Sequence, residues 1–170
     1  PFATVSDAAA ACSITFGAPS KTFNIAGIVS SYAIVPDAGL RRRFFDWLRA
    51  RELNEPTVFA PIATIAAFRR GETWRREMLA YVEDNIRFVE AYCRDHLPAV
   101  CPVRPEASFL VWLDCRRLGL NREQLLDLFV DKAHLALNDG EMFGTGGAGF
   151  MRLNVGTPRA VLEQAMRQLA

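Results

Sequence analysis

The sequence predicts an α/β protein whose two parts differ in the order of their elements. Two short apolar runs, 12–16 and 27–35, come first, and three helical patterns follow them. From about residue 97, strand-like and helical segments alternate, which indicates a small α+β unit. With 170 residues, the chain is long enough to bury a core. We therefore expect a first part at 1–72, a long connecting helix at 73–96 and an α+β domain at 97–170.

Start and stop signals place the first three helices. The first is predicted from Asp37, whose side chain can accept a hydrogen bond from the first turn. The second begins near Pro56 and ends at Gly71, and Pro61 marks either a kink in it or its true start. The third, at 73–96, carries two adjacent apolar stripes, so it needs cover from more than one neighbour. The stripes are Trp74, Met78, Tyr81, Asn85, Phe88 and Tyr92, and Leu79, Val82, Ile86, Val89 and Cys93.

The last part alternates between strands and helices. Strands are predicted at 99–103 and 107–115, and a helix capped by Asn121 follows them. After a glycine-rich loop comes a strand at 150–155. A closing helix is predicted with Thr157 as its cap and Pro158 at its first position.

Composition gives no support for a nucleic-acid or membrane partner. The net charge is +1, and no apolar run approaches the roughly 18 residues of a membrane span. No signal peptide is recognisable. The cysteines form no C-x-x-C pair and the histidines are far apart, so we expect no metal site. Reduced, buried thiols and a cytoplasmic location are expected instead. These residues are Cys12, Cys93, Cys101, Cys115, His96 and His134.

Lysine is rare in this sequence. Of twenty basic residues, only Lys21 and Lys132 are lysine, and the rest are arginine. A lysine that is kept where arginine is the usual cation is a candidate for a role that needs a primary amine. Lys132 lies in a helical pattern and is expected to be a solvated side chain. Lys21 lies between apolar residues and turn formers, where solvation alone explains it less well.

The stretch FGTGGAGFMRLNVG contains the spacing G-x-G-x-x-G, at Gly144, Gly146 and Gly149. In a dinucleotide site, that spacing follows a strand and opens a helix. Here a turn-like segment precedes it and a strand pattern follows it, which argues against a nucleotide. In that strand, Arg152 and Asn154 share one face, opposite Met151, Leu153 and Val155. Two interpretations of Arg152 remain: a planar clamp for a carboxylate, or a solvated residue on an edge strand.

The segment APSKTFNIAGI, with the later segments SFLVWLDCRRLGL and LNDGEMFGTGGAGFMRLNVGTPRA, resembles the pyridoxal-phosphate enzymes of fold type I. Within that aminotransferase class I/II superfamily, the resemblance is to the MalY/PatB-type cystathionine β-lyases and extends over almost the whole chain. It implies a partial PLP-dependent transferase-like fold: a remnant of the large cofactor domain, a connecting helix and the small domain. It also implies that the chain was cut from a longer protein.

The resemblance assigns roles to three residues. It implies that Lys21 holds pyridoxal 5'-phosphate covalently and acts as the catalytic base. Ser20 is a candidate contact to the cofactor phosphate, and Arg152 is the candidate for binding the substrate α-carboxylate. Many aminotransferases have an arginine eight residues after the lysine. Val29 stands there in this chain, which suits the β-lyase branch and leaves the phosphate contacts open.

Three functions follow as alternatives. The first is a C–S β-lyase that converts cystathionine or cysteine-type amino acids to a thiol, pyruvate and ammonia. The second is an aminotransferase, because both reactions use Lys21 and Arg152. The third is a non-catalytic module that binds a partner through the apolar face of the long helix. For the enzyme we expect a small amino-acid substrate and a homodimer. We also expect the strands at 12–16 and 27–35 to be neighbours without further partners, leaving apolar side chains exposed.

Overall fold

The computed structural model describes residues 1–170, which form two compact units, Pro1–Arg76 and Glu77–Ala170. The first unit contains α1 (Asp7–Ala11), β1 (Thr15–Gly17), β2 (Tyr32–Ile34), α2 (Ala38–Arg49) and α3 (Phe59–Arg70). Helix α4 (Glu72–His96) begins there and continues through the second unit. The second unit adds β3 (Cys101–Val103), β4 (Leu110–Asp114), α5 (Arg122–Leu126), β5 (Asn138–Asp139), β6 (Phe150–Asn154) and α6 (Arg159–Leu169). None of the helices combines the length and apolar character needed to cross a membrane.

The two strands of the first unit pair only with each other. They are antiparallel, with Phe16 opposite Ala33 and Gly17 opposite Tyr32. Phe16 and Ile34 keep 66% and 56% of their surface exposed. Helix α3 buries only Ala60, although most of its residues are apolar. The prediction of neighbouring strands that leave apolar side chains open is therefore confirmed.

Several predicted boundaries in the first unit change. The run at 27–35 is not one strand, because residues 26–28 form a 3-10 turn and Val29 adopts a left-handed conformation with φ of 52°. Asp37 is confirmed as the cap of α2, since its carboxylate accepts a hydrogen bond of 2.6 Å from the Leu40 N–H. Helix α3 begins at Phe59, which puts Pro61 in the first turn. A missing N–H costs nothing there, because N–H groups of the first turn have no intrahelical partner.

The second unit is a four-stranded antiparallel sheet in the order β3-β4-β6-β5. One face of the sheet is buried, and its central residues are Val111 and Leu113 of β4 and Met151 and Leu153 of β6. They pack into a single apolar core with residues from the helices. The helical members include Val82, Ile86, Val89 and Cys93 of α4, Leu125 of α5, and Leu162 and Met166 of α6. The second predicted stripe of α4 is thus buried except for Leu79, which is exposed, and Asn85 of the first stripe is buried with it.

Helix ends in the second unit are fixed by side chains. Asn121 caps α5 in a reciprocal capping box with Gln124, as predicted, and the helix continues as a π-helical segment over Asp127–Lys132. The prediction of Thr157 as the cap of α6 is wrong, because the helix begins at Arg159 and Pro158 precedes it. The Tyr81 hydroxyl of α4 accepts a 2.6 Å hydrogen bond from the Arg159 N–H and takes the place of a local cap.

The cysteines are all free thiols, but they differ in exposure. Cys93 and Cys115 are buried, Cys101 is half-buried and Cys12 is exposed, so the expectation of buried thiols is wrong for Cys12. Burial raises the pKa of Cys93 to about 11 and that of Cys115 to about 12. A charged thiolate is disfavoured in such an apolar setting, so both thiols stay protonated at neutral pH.

Candidate functional site

Lys21 lies in a tight turn that follows β1. The Phe23 N–H donates to the Pro19 carbonyl at 2.9 Å, and the Ile25 N–H donates to the Ser20 carbonyl at 3.0 Å. Asn24 closes the turn in a left-handed conformation with φ of 52°. Pro19 is fully buried, Ser20 is half-buried and Lys21 is exposed. The local sequence of turn formers therefore presents the lysine at the surface of the first unit.

Phe23 fixes this turn to the rest of the first unit. Its ring packs edge-on against Phe68 of α3, with 5.4 Å between centroids, and lies 6.4 Å from the Trp74 ring. Gly71 lies directly beneath it, and a Cβ there would come within 2.7 Å of the ring. The residue that packs against the rest of the unit is therefore Phe23, two positions after Lys21. The Lys21 side chain itself is exposed.

The two lysines have different electrostatic surroundings. Lys132 pairs with Asp127 at 2.7 Å, with both side chains exposed, as expected for a solvated residue. Lys21 pairs with no carboxylate. At Val29, where many aminotransferases have a cation, the side chain is 79% exposed and can donate no hydrogen bond. The polar side chains of this turn include the Lys21 amine, the Ser20 hydroxyl and the exposed side chains of Thr22 and Asn24.

Arg152 lies in the middle of the second sheet, on the face opposite the core. Its strand, β6, is paired on both sides, with Trp112 of β4 and Asn138 of β5 directly opposite Arg152. The part of the alternative interpretation that placed Arg152 on an edge strand is therefore wrong. Its Nη2 donates a 2.8 Å hydrogen bond to Asn138 Oδ1, and its Cζ lies 4.3 Å from the centroid of the Phe143 ring.

The guanidinium of Arg152 is only partly satisfied. Its Nε is buried and has no acceptor. Because Nε is shielded, the terminal amino groups are the donors that an incoming anion can reach. An anion that meets both would form the two parallel hydrogen bonds typical of arginine–carboxylate pairs. The side chain is thus suited to bind a carboxylate.

Aromatic rings surround the position of Arg152. Trp112 contacts Phe143 and Phe150 edge-on, with centroid distances of 5.3 and 6.1 Å. The open side of the sheet here forms a pocket of about 440 Å³. It is lined by Val103, Trp112, Phe143, Gly146, Gly147 and Phe150. No lining side chain is charged, and two guanidinium groups lie over its rings: Arg152 over Phe143, and Arg116, which is paired with Asp114, over Phe150.

The glycine-rich loop has a structural explanation. Gly140 and Gly147 meet backbone to backbone, with no space for a Cβ on either. Gly144 and Gly149 adopt φ of 119° and 77°, which side chains disfavour. Gly146, the middle glycine of the dinucleotide spacing, lies in open space at an ordinary φ. Strand β6 follows the loop, where a nucleotide site would have a helix. The fold of the loop instead places the Phe143 ring over Arg152.

Sequence reasoning missed the residues that hold Arg152. Strand β5 has only two residues, Asn138 and Asp139, which is too short for an alternating pattern to reveal it. Phe143 lies in a 3-10 turn with no periodicity of its own. Trp112 could have been identified from the sequence. Side chains alternate along the predicted strand, so Trp112 faces the side of the sheet opposite to Val111 and Leu113.

Comparison with known proteins gives consistent matches over nearly the entire chain. No family model matches it. The cystathionine β-lyase PatB of Bacillus subtilis is 40% identical over 169 residues, which is 99% of this chain and 44% of that protein. The chain thus spans less than half the length of this curated relative.

Two solved structures have the same fold over this region. A pyridoxal-phosphate-bound protein from Clostridium difficile, described as an aminotransferase, superposes with a TM-score of 0.95 at 37% identity. The match covers 99% of this chain and 44% of that one. Cystalysin from Treponema denticola, which contains pyridoxal 5'-phosphate, gives 0.90 at 28% identity over 98% and 42% of the two chains.

Proposed function

We propose that this chain, which belongs to the fold-type I pyridoxal-phosphate enzymes, is the C-terminal part of a C–S β-lyase of the MalY/PatB type. The reaction is the cleavage of cystathionine or a cysteine-type amino acid, with water, to a thiol, pyruvate and ammonia. The observation that carries this proposal is the 40% identity to a cystathionine β-lyase along 99% of the chain.

The residues of the Lys21 turn fit the cofactor. A Schiff base with the aldehyde of pyridoxal phosphate requires a primary amine, and Lys21 offers one that is exposed and not engaged by a carboxylate. Ser20, beside it, offers a hydroxyl as one contact for the phosphate. When bound, the cofactor supplies an electron sink for negative charge at the substrate Cα.

The chain supplies two further functions in this proposal. Lys21 Nζ, once the substrate amine has displaced it, takes the proton from the substrate Cα. Arg152 binds the α-carboxylate through its accessible terminal amino groups and so orients the substrate. In the lyase, the resulting electron pair expels the thiolate from Cβ.

Aminotransfer is the second candidate, because the protein with a TM-score of 0.95 is described as an aminotransferase. Lys21 and Arg152 would serve that reaction equally. Nζ would return the proton to the cofactor carbon, and no bond at Cβ would break. The two reactions therefore differ in the fate of the Cβ substituent.

We extend the proposal to domains and partners. Residues 1–72 are assigned to the large cofactor domain, 73–96 to the connecting helix and 97–170 to the small domain. The substrate is a small amino acid, and the enzyme acts as a homodimer in the cytoplasm. The exposed apolar residues of β1, β2 and α3 support burial against further protein.

The test uses the protein produced from the full reading frame that contains this chain. It is assayed on cystathionine, cysteine and several amino acid–oxoacid pairs. Release of thiol and pyruvate supports the lyase, and exchange of amino groups without thiol release supports the aminotransferase. Borohydride reduction followed by peptide mapping should place the cofactor adduct on Lys21.

Other outcomes overturn the proposal. An adduct on Lys132, or no adduct, would remove Lys21 from the site. A reading frame that starts at this chain, with no cofactor bound, would favour the non-catalytic module. In that case, a binding partner would have to be sought for the exposed part of α4.

A further inference from the structure

Arg152 is restrained from two directions by one short segment. Asn138 Oδ1, at the start of β5, accepts a 2.8 Å hydrogen bond from Nη2. Phe143, five residues later, places its ring 4.3 Å from the guanidinium carbon. A guanidinium over an aromatic face is attracted by the ring quadrupole, which favours this placement of the group. The two contacts fix both the direction and the plane of the fork.

The restraints on Arg152 include no acid. The other arginines with side-chain partners in the second unit illustrate the contrast, since most of them pair with carboxylates. Arg87 pairs with Glu83, Arg104 with Glu83 and Glu90, Arg116 with Asp114, and Arg122 with Asp139. Arg152 has a neutral amide in the place of the carboxylate, so its positive charge is not cancelled.

The acidic residue next to Asn138 in the sequence, Asp139, does not contact Arg152. Asp139 follows Asn138 directly, but successive residues of a strand face opposite sides of the sheet. Asp139 is 7% exposed, and its Oδ2 accepts a 2.6 Å hydrogen bond from Arg122 Nε. Its Oδ1 accepts from the Glu141 N–H at 3.1 Å. The register of β5 therefore puts the amide, and not the acid, on Arg152.

A neutral acceptor has a specific consequence at a carboxylate clamp. An aspartate at 138 would bind the guanidinium more strongly than asparagine does, because charge-assisted hydrogen bonds are the stronger ones. It would also compete with the substrate carboxylate for the same donors and repel it. The Asn138 amide can hold the Arg152 guanidinium in one orientation without neutralising its positive charge.

We propose that Asn138 and Phe143 are positioning residues that set the Arg152 guanidinium for the substrate α-carboxylate, with Asn138 acting as an uncharged acceptor. This inference rests on the proposed role of Arg152. It predicts that amino-acid affinity and protein stability respond in opposite directions when Asn138 becomes an acid.

The experiment compares two ligands that differ by one carboxylate. Binding of L-alanine and of ethylamine is measured by the change in cofactor absorbance, in the protein from the full reading frame, and the melting temperature is recorded. Asn138→Ala and Phe143→Leu should each weaken L-alanine about 3- to 10-fold, as loss of one modest interaction predicts. Asn138→Asp should weaken it more than 10-fold while the melting temperature holds or rises. Ethylamine affinity should not change.

Two controls test the mechanism. Asn121→Asp adds the same charge at a helix cap, where aspartate is equally suitable, and should leave both ligands unaffected. In an Arg152→Ala background, Asn138→Asp should cause no further loss of L-alanine affinity, because residues that act through one another are not additive. A loss that persists without Arg152 would overturn the inference.

The inference and the proposed function can fail separately. If Arg152→Ala leaves L-alanine affinity intact relative to ethylamine, the clamp itself is wrong. If Arg152→Ala weakens L-alanine but Asn138→Asp binds it as the wild type does, only the positioning role is wrong. Loss of both ligands together with a lowered melting temperature would give Asn138 a structural role and would also overturn the inference.

Discussion

Asn85, in the middle of α4, donates a hydrogen bond of 2.8 Å to the carbonyl of Val155, the residue that follows β6. The same amide donates to the Thr157 carbonyl at 3.0 Å, and its oxygen accepts from Arg159 Nε at 2.8 Å. Asn85 has no exposed surface and is the single polar residue on the buried side of the helix. It therefore ties α4 to the end of the strand that carries Arg152.

Replacing Asn85 should destabilise the protein strongly. Asn85→Leu removes three hydrogen bonds and leaves two carbonyls without their donor, so we expect a loss of about 2–4 kcal/mol in unfolding free energy. Chemical denaturation measures it. Asp84→Ala on the same helix is the matched control: its ion pair with Arg87 is exposed, and its loss should cost less than about 1 kcal/mol. Equal effects of the two variants would contradict the structural role of Asn85.

Arg152 variants should separate charge from shape. Arg152→Ala should lower kcat/KM about 10- to 100-fold, since a hydrogen bond to a charged group contributes roughly 1.5–3 kcal/mol. Arg152→Lys keeps the charge but loses the planar fork, so it should also weaken substrate binding. Cofactor occupancy, followed by absorbance, should not change. Loss of cofactor with intact amino-acid affinity would instead place Arg152 at the phosphate.

The glycine loop offers an internal comparison. Gly147→Ala would force a Cβ into the backbone of Gly140, so it should displace the loop, lower the melting temperature and weaken L-alanine binding. Gly146→Ala meets open space at an ordinary φ and should be close to neutral in both measurements. A nucleotide-binding loop would show the reverse order, because the middle glycine there allows the backbone to approach the phosphates.

The buried thiols should be unreactive and should make the protein sensitive to alkali. At pH 8 iodoacetamide should label Cys12 and leave Cys93 and Cys115 unmodified until denaturation, as peptide mapping would show. Their folded pKa values, about 11 and 12, exceed the ordinary value of 9.0. The stability they contribute is therefore fully present below pH 9 and lost as the pH rises through 11 to 12. Over that pH range, the melting temperature of the Cys115→Ala variant should decrease less steeply with pH than that of the wild type. An unchanged decrease would show that the buried Cys115 thiol is not a source of the sensitivity to alkali.

Helices and caps were the most predictable features. Asp37 and Asn121 act on their own first turns, and the apolar stripe of α4 repeats at the helical period, so local sequence suffices for both. Thr157 failed as a cap because Tyr81, 78 residues from Arg159, makes the contact with the Arg159 N–H. No local rule contains such a partner.

The two candidate site residues were predictable for different reasons. Lys21 stood out by composition and by the resemblance of its segment to a family, and the structure adds that it has no ion pair. Arg152 stood out because it alternates with the apolar residues Met151 and Leu153. Side chains alternate along a strand, so Arg152 had to face the side opposite to the core. That β6 is a central strand could not be read from its own residues, because pairing depends on β4 and β5.

The sequence by itself determined the class of fold, the starts of α2, α4 and α5, the face of β6 that is buried and the residues that chemistry would select, Lys21 and Arg152. These depend on periodicity, capping and residue type, which act over a few neighbouring positions. The tertiary structure alone decided that Asn138 and Phe143 hold Arg152 without an acid, and that Asp139 turns instead to Arg122. Those contacts arise because sheet pairing and a tightly folded glycine loop bring together groups that their own local sequences leave free to point elsewhere.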